Sequence, residues 1–588
     1  MGFLSRVSAT AYNYFGWLGP LILRIFRSMP DQLKASGKGV FPEAYAALVG
    51  MLTVISAVVS AALFLFLWLA VGVILQLSLM VFTIPVITLL LLVVYPWLST
   101  KALETALEAE IPYAAAYMSV MTAGGISPYS SLQRIRSVKL MPKMTAVAGL
   151  LDVHVKARGV DPVSALEKIA DELPSREFKE LVQGYSATLR MGGDTTHYLV
   201  RRTEMIFSRQ EAKVRAIAER MAMLAEAYLA VGILLALGLF IMFIISHALP
   251  LEVALFGVDT FLTVSYFILP FLSILFIYFA DMLQPKYPTA DYRSYRFVLF
   301  TLPVFLFSVM AFFAPTFIPQ LTPFLRPFVS ARDELVRLLG LERGFDAAFG
   351  IIIPLLILLV PAAIAETIYS STEKNILTGV TRFLREMVEV RKTGLTPERS
   401  IESLSRRKYG RFSKILRTVA GKIAWGAPYQ KIHEYVQRNV RHWISKVNLY
   451  ILFDAIEVGG GTPETLEALA RFSEQMETIE YAKRAGLRPL LIIPYIGAFI
   501  LIFAALVLLG FMKTSLLLAG RVLAFDAFLR LFLPPLVLNI AMMGLVAGKI
   551  AEERVAAGFK HAVLMILVAI LAFVLSPYIA AFLTPPPS

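Results

Sequence analysis

Cysteine is absent from this 588-residue chain, which excludes disulfides, a thiol nucleophile and thiolate-held metal. The six histidines, His154, His197, His247, His433, His442 and His561, are scattered. The closest pair, His433 and His442, has no carboxylate at metal-site spacing, so neither metal nor cofactor is expected. No G-x-x-x-x-G-K-[ST] phosphate loop occurs. Charge is scarce as well. Only 17% of residues are charged, too few to clothe a soluble protein of this size, whereas 57% are hydrophobic. Asn and Gln together number about fifteen, a thrift seen in thermophile proteins.

What is present is a series of apolar runs, several of them long enough to cross a bilayer, which takes about 20 helical residues. Nine spans are expected, near 45–69, 73–98, 224–247, 260–282, 297–318, 348–371, 489–511, 528–548 and 562–583. The first two are joined by a tight connection at Val71 to Gln76. Residues 1–43 are mixed and basic and do not read as a cleavable signal peptide. Lys and Arg near the membrane set orientation. They place the N-terminus inside, with Lys286, Arg293 and Arg296 in one inside loop and Lys549, Arg554 and Lys560 in another. The loop 248–259 has Glu252 and Asp259 but no cation, so it falls outside, as does the C-terminal tail.

The layout expected is a cytoplasmic segment 1–44, a membrane hairpin 45–98, a helical domain 99–223 and spans within 224–282 and 297–371. A second helical domain 372–488 follows, then spans within 489–548 and 562–583. The two domains carry apolar residues at helical spacing, as in Ala165, Leu166, Ile169 and Leu173, or Leu466, Leu469 and Phe472. The fold class is therefore all-α, a polytopic membrane protein with two inserted cytoplasmic helical bundles.

These bundles resemble each other. Gly125-Ile-Ser-Pro128 pairs with Gly394-Leu-Thr-Pro397, Gly159-Val-Asp-Pro162 with Gly426-Ala-Pro428, and Met191-Gly192-Gly193-Asp-Thr195 with Val458-Gly459-Gly460-Gly-Thr462. A Ser or Thr before Pro starts a helix, because the hydroxyl caps free amides and Pro suits the first turn. All three pairs sit about 267–269 residues apart, so the chain is internally duplicated. The glycine turns at 192–193 and 459–461 open helices, where amides either meet an anion or simply cap; ordinary capping is the reading adopted.

Glu110-Ile-Pro112 through Met118, Gly125-Ile-Ser-Pro128 and Arg190-Met-Gly-Gly-Asp-Thr195 resemble the platform family of type II secretion and type IV pilus machines, with the archaeal archaellum and adhesion-pilus branch the nearest likeness. The second copy keeps Glu457-Val-Gly-Gly-Gly-Thr462 but has no close match to Glu110-Ile-Pro112. The resemblance implies a platform without a catalytic site, which couples a cytosolic P-loop secretion ATPase to pilin-like subunits. It also implies a homo-oligomer, a dimer, in the cell membrane.

Two basic clusters are the candidate contact points. One is Arg134, Arg136, Lys139 and Lys143; the other is Arg406, Arg407, Lys408, Arg411 and Lys414. They read either as solvated faces drawn to anionic lipid heads or as docking faces for an acidic ATPase surface. Aromatics are not interleaved with them as a single-strand nucleic-acid binder requires. Within the spans Glu226, Asp281 and Glu366 lie near ends, and Asn539 is placed for an interhelical hydrogen bond. From Thr196 through Arg220 a proline-free helix enters the third span, whereas Gly486, Pro489 and Pro494 stand at the matching junction. That contrast suggests that the second domain swings and the first does not. A secondary transporter is the alternative from another class, since such folds also use repeats. A membrane-anchored sensor would need a kinase or cyclase signature, and none was found.

Overall fold

The computed structural model describes residues 3–35, 40–69, 83–136, 140–248, 257–285, 287–288, 292–373, 375–518 and 523–583. The Val71 to Gln76 connection, Lys139, Glu252, Lys286, Lys374 and the C-terminal tail lie outside them. Every regular element among the described residues is a helix. Eight helices are long and apolar enough to cross a bilayer: Pro42–Ala62, Thr195–Ser246, Val258–Leu283, Arg293–Phe317, Arg343–Lys392, Pro463–Lys513, Phe525–Glu552 and Val555–Ser576. The remaining expected span, 73–98, starts in undescribed residues, and its described part is helical from Thr83. The chain is a multi-pass, all-α membrane protein.

One compact unit comprises residues up to Ile206 with Ala455–Ala468. Its N-terminal helices Phe3–Phe15, Gly19–Ile25 and Met29–Ala35 pack with Pro42–Leu69 around Ile22, Met29, Leu33, Tyr45 and Val49. Gly50 is required there, since a Cβ would lie 2.8 Å from the Leu18 Cβ. The first helical domain follows as α1 (Thr83–Ala123), α2 (Pro128–Ile135), α3 (Pro142–Asp152), α4 (Pro162–Glu172), α5 (Arg176–Arg190) and α6 (Thr195–Ala227). Its caps explain its boundaries. Ser127 accepts from the Ser130 amide at 3.3 Å, Asp161 from the Val163 and Ser164 amides at 3.0 and 3.1 Å, and Asp194 from the His197 amide at 3.0 Å. Between α1 and α6 the Ser119 and Thr203 hydroxyls meet at 2.8 Å in the core.

The other unit comprises most of 207–454 and 469–588. Its second helical domain contains α7 (Ile376–Lys392), α8 (Pro397–Ser405), α9 (Phe412–Ala424), α10 (Tyr429–Asn439), most of α11 (Trp443–Glu457) and the later part of α12 (Pro463–Leu487). Thr396 repeats the Ser127 cap, accepting from the Arg399 amide at 3.4 Å. Buried Asn448 donates to Ser473 at 2.8 Å, and Ser473 meets Thr381 at 3.1 Å.

Two ionic clusters bracket the spans of this unit. At one end Lys549 pairs with Asp281 at 2.8 Å, Arg554 with Glu366 at 3.3 Å, and buried Lys483 with Glu480 and Glu553 at 2.8 and 2.9 Å. At the other, Asp346 pairs with Arg530 at 3.0 Å and Arg332 at 3.6 Å. No charged residue lies between Asp346 and Glu366, or between Arg530 and Lys549. At 1.5 Å per residue both stretches run roughly 30 Å, the thickness of a hydrocarbon core. Phe243 stacks on Phe261 at 3.8 Å, and between the clusters Asn539 donates to the Ser265 carbonyl of another span at 3.4 Å. Ser265 lies in a π-helical turn, Val264–Ile268, whose register shift leaves carbonyls short of donors.

Where α12 meets its span, Pro489 is absorbed by a 3-10 turn, Arg488–Leu491. Gly486 marks a close helix crossing, because a Cβ there would lie 2.8 Å from the Cβ of Ala218 on α6. At the matching junction of the first domain α6 passes into a π-helical turn, Tyr228–Ile233, and then Leu234–Ala248.

Candidate docking surface

The six glycine-turn and proline positions of the repeat lie at helix ends. Pro128 and Pro397 each occupy the first turn of a capped helix. Gly125, Gly159 and Gly192 have φ of 86°, 66° and 69°; their counterparts Gly394, Gly426 and Gly459 have 90°, 70° and 84°. A left-handed residue past a helix end favours glycine. The amides of Gly192 and Gly193 donate to the Leu189 and Thr188 carbonyls, and those of Gly459 and Gly460 to Ile456 and Ala455. All four donors are spent on helix ends and are not available to an anion.

In the first basic cluster both arginines are paired within their own unit. Arg134 pairs with Glu457 at 3.3 Å, and Arg136 pairs with Asp152, which Lys156 also reaches at 3.0 Å. Lys143 is half-buried in the first turn of α3. Its amide and that of Met144 donate to Glu110 at 2.9 and 2.8 Å. Burial pushes the Glu110 carboxyl above the usual carboxylate range, against the pull of those amides and the Lys143 charge.

The second cluster is different. Arg407 pairs with Glu386 at 2.8 Å, and the Tyr409 hydroxyl donates to the same carboxylate at 2.6 Å. Burial raises the Glu386 pKa, but these two hydrogen bonds and the neighbouring arginine charges outweigh it and hold the carboxyl below its ordinary value. Arg406, Lys408, Arg411 and Lys414 are exposed, with no acidic partner within 4 Å among the described residues. From Glu402 to Glu434 there is no other acid, while eight Lys and Arg stand between them.

Two relations place this surface along the domain. Its near end lies at the start of α7, where a Cβ on Gly379 would meet the Tyr409 carbonyl at 2.6 Å. Its far end lies beside the other end of α7. There the Tyr429 hydroxyl donates to Glu398, in the first turn of α8, at 3.2 Å. At that far end stands Trp425, 91% exposed. Sequence reasoning passed over it. The signal available was a tryptophan directly before a helix-ending glycine, in a stretch otherwise rich in cations.

Residues 114–243 and 383–510 each match the family model of the type II secretion system (T2SS) protein F. The matches begin at 114 and 383 and end at 243 and 510, which reproduces the 267–269-residue spacing of the glycine turns. An uncharacterized protein of Methanocaldococcus jannaschii is 19% identical over 500 residues, covering 83% of this chain and 82% of its own. No solved structure matches.

Proposed function

From a chain that carries the type II secretion system protein F domain twice, we infer a non-enzymatic membrane platform that couples a cytosolic P-loop secretion ATPase to the movement of pilin-like subunits into a filament. The observation that carries this reading is the duplicated domain, each copy ending in a helix that runs on into an apolar span. In this reading the segment 1–44 and the domains 99–223 and 372–488 face the cytoplasm and the C-terminus lies outside. The spans fall within 45–98, 224–282, 297–371, 489–548 and 562–583. The platform works as a homo-oligomer, a dimer, among membrane lipids.

Docking of the ATPase falls to the second domain, at Arg406, Arg407, Lys408, Arg411 and Lys414. Exposed cations steer an acidic partner: Arg407 is paired with Glu386, but the other four have no carboxylate partner among the described residues, whereas the first domain's Arg134 and Arg136 both have one. The filament is of the archaellum, adhesion-pilus or secretion-pseudopilus kind.

The test is purification from native membranes in mild detergent, with cross-linking and mass spectrometry of what co-purifies. Recovery of a P-loop secretion ATPase with small pilins supports the platform. Failure to recover an ATPase even after cross-linking, with saturable binding of a small solute, would replace it with a transporter.

A further inference from the structure

We propose that Trp425 is the apolar anchor of a protein-docking face along the outer side of α9, and that its partner is a cytosolic protein with an apolar cleft rimmed by carboxylates. This deepens the platform reading and rests on it.

The exposed positions of α9 and its flanks are Arg411, Lys414, Arg417, Thr418, Gly421, Ala424 and Trp425. Steps of three and four put them on one helical face. Cations occupy the first half. The second half is small until the indole, and a Cβ at Gly421 would meet nothing within 4 Å. The face is therefore a cationic stripe, a bare stretch of helix and then one large aromatic ring.

The backbone that carries the ring is fixed in place. The Trp425, Gly426 and Ala427 amides donate to the Gly421, Ile423 and Lys422 carbonyls at 3.1, 2.9 and 3.0 Å. Gly426 takes φ 70°, and Pro428 caps the next helix. An exposed indole on a pre-set turn loses little entropy when bound, and tryptophan is enriched among residues that dominate interface energies.

Position decides between partners. Trp425 lies at the end of α7 remote from the Asp346–Glu373 span, and 17 helical residues place that end about 25 Å along the axis. That exceeds the Debye length of about 8 Å at physiological salt, so lipid charge does not account for this end of the face. A second copy of the same face would meet cation with cation. The first domain has no counterpart: Arg158 precedes Gly159 where Trp425 precedes Gly426.

The experiment uses the full chain in phosphatidylcholine nanodiscs, with the purified P-loop secretion ATPase of the same organism as probe. Trp425→Ala should weaken binding about thirtyfold. Trp425→Phe should restore most of it, and the pair Lys414→Glu with Arg417→Glu should weaken binding and flatten its salt dependence. Unfolding temperatures should not move, since these side chains face water. If the wild type binds and Trp425→Ala binds equally well, the anchor is wrong and the platform reading stands. If the wild type does not bind, the ATPase-coupling reading fails and the anchor falls with it. Quenching of Trp425 emission by brominated anionic lipid, with no change on adding ATPase, would make a membrane the occupant and overturn the proposal.

Discussion

Glu110 accepts a hydrogen bond from the Met144 amide at 2.8 Å, so a buried carboxylate on α1 caps the start of α3. The second domain meets the same packing problem without the carboxylate. The position 269 residues on is Gly379, and the third helix of that copy approaches so closely that its Tyr409 carbonyl and Phe412 Cβ fill the space. The Tyr409 amide is satisfied locally by the Ser413 hydroxyl, at 2.6 Å. Duplication kept the helix arrangement and changed what fills the space beside the start of the third helix. One copy uses charge against the positive end of a helix dipole; the other uses contact.

Removing the cap should be costly in the first domain. Glu110→Ala leaves the Lys143 and Met144 amides buried without their acceptor and should destabilise the protein by about 1–3 kcal/mol. Glu110→Gln keeps an acceptor and should lose less. Thermal unfolding in detergent reads both, and an unshifted midpoint for Glu110→Ala would reject the capping role.

Gly379→Ala should also destabilise, by about 1–3 kcal/mol, because its Cβ would sit 2.6 Å from a backbone carbonyl and 3.0 Å from the Phe412 Cβ. Gly421 gives the control. It lies in α9, its Cβ would meet open space, and Gly421→Ala should stabilise by up to about 1 kcal/mol. Opposite signs in the same unfolding assay are the expected result. Equal shifts would mean that helix propensity, not close approach, governs both sites.

The repeat was legible because its turns need glycine. Gly125, Gly159 and Gly192 and their three counterparts all take positive φ, so the constraint is written residue by residue. The spans were legible because a bilayer demands length and apolarity, which composition records. The Asn539 contact followed from one polar residue in an apolar run. Gly486 did not follow, because glycine before proline reads the same whether it loosens a junction or lets Ala218 come close. The difference between the two basic clusters was equally hidden. Whether Arg134 is spent on Glu457 depends on a helix distant in sequence, and whether Arg136 meets Asp152 depends on how α2 packs against α3. Trp425 was missed because exposure is a property of packing, and a tryptophan in a helical bundle ordinarily belongs to the core.

The last two long helices, Leu523–Glu552 and Val555–Leu583, pack through small residues. A Cβ on Gly548 would lie 2.0 Å from the Gly558 nitrogen, and one on Gly544 would lie 2.3 Å from the Ala562 Cα. Backbone approach of this kind is what small residues allow in membranes. Gly548→Leu should therefore force these helices apart and lower the unfolding midpoint sharply, with Gly548→Ala intermediate. Gly238, in another span with open space around its Cβ, should accept alanine without loss. A Gly548→Leu protein as stable as wild type would show that the contact is dispensable.

His442 makes stability depend on pH. Its ring nitrogen accepts from the Ser445 amide at 3.4 Å and meets the Ser445 hydroxyl at 3.1 Å, so neutral imidazole caps α11. Burial pushes its pKa down to about 4; Glu480 opposes this, while Arg484, Lys483 and Arg554 add to it. The unfolded chain binds a proton near pH 6.5, and the folded one refuses it until about 4. Stability from this site is therefore complete above pH 6.5 and falls as pH drops toward 4, by up to about 3 kcal/mol. Carboxylates elsewhere titrate in the same range, so the comparison must be between proteins. His442→Asn keeps a helix-capping oxygen and removes the titration. Its unfolding midpoint should fall less than that of wild type between pH 7 and 4.5. Parallel pH profiles would mean that His442 takes up its proton as readily folded as unfolded.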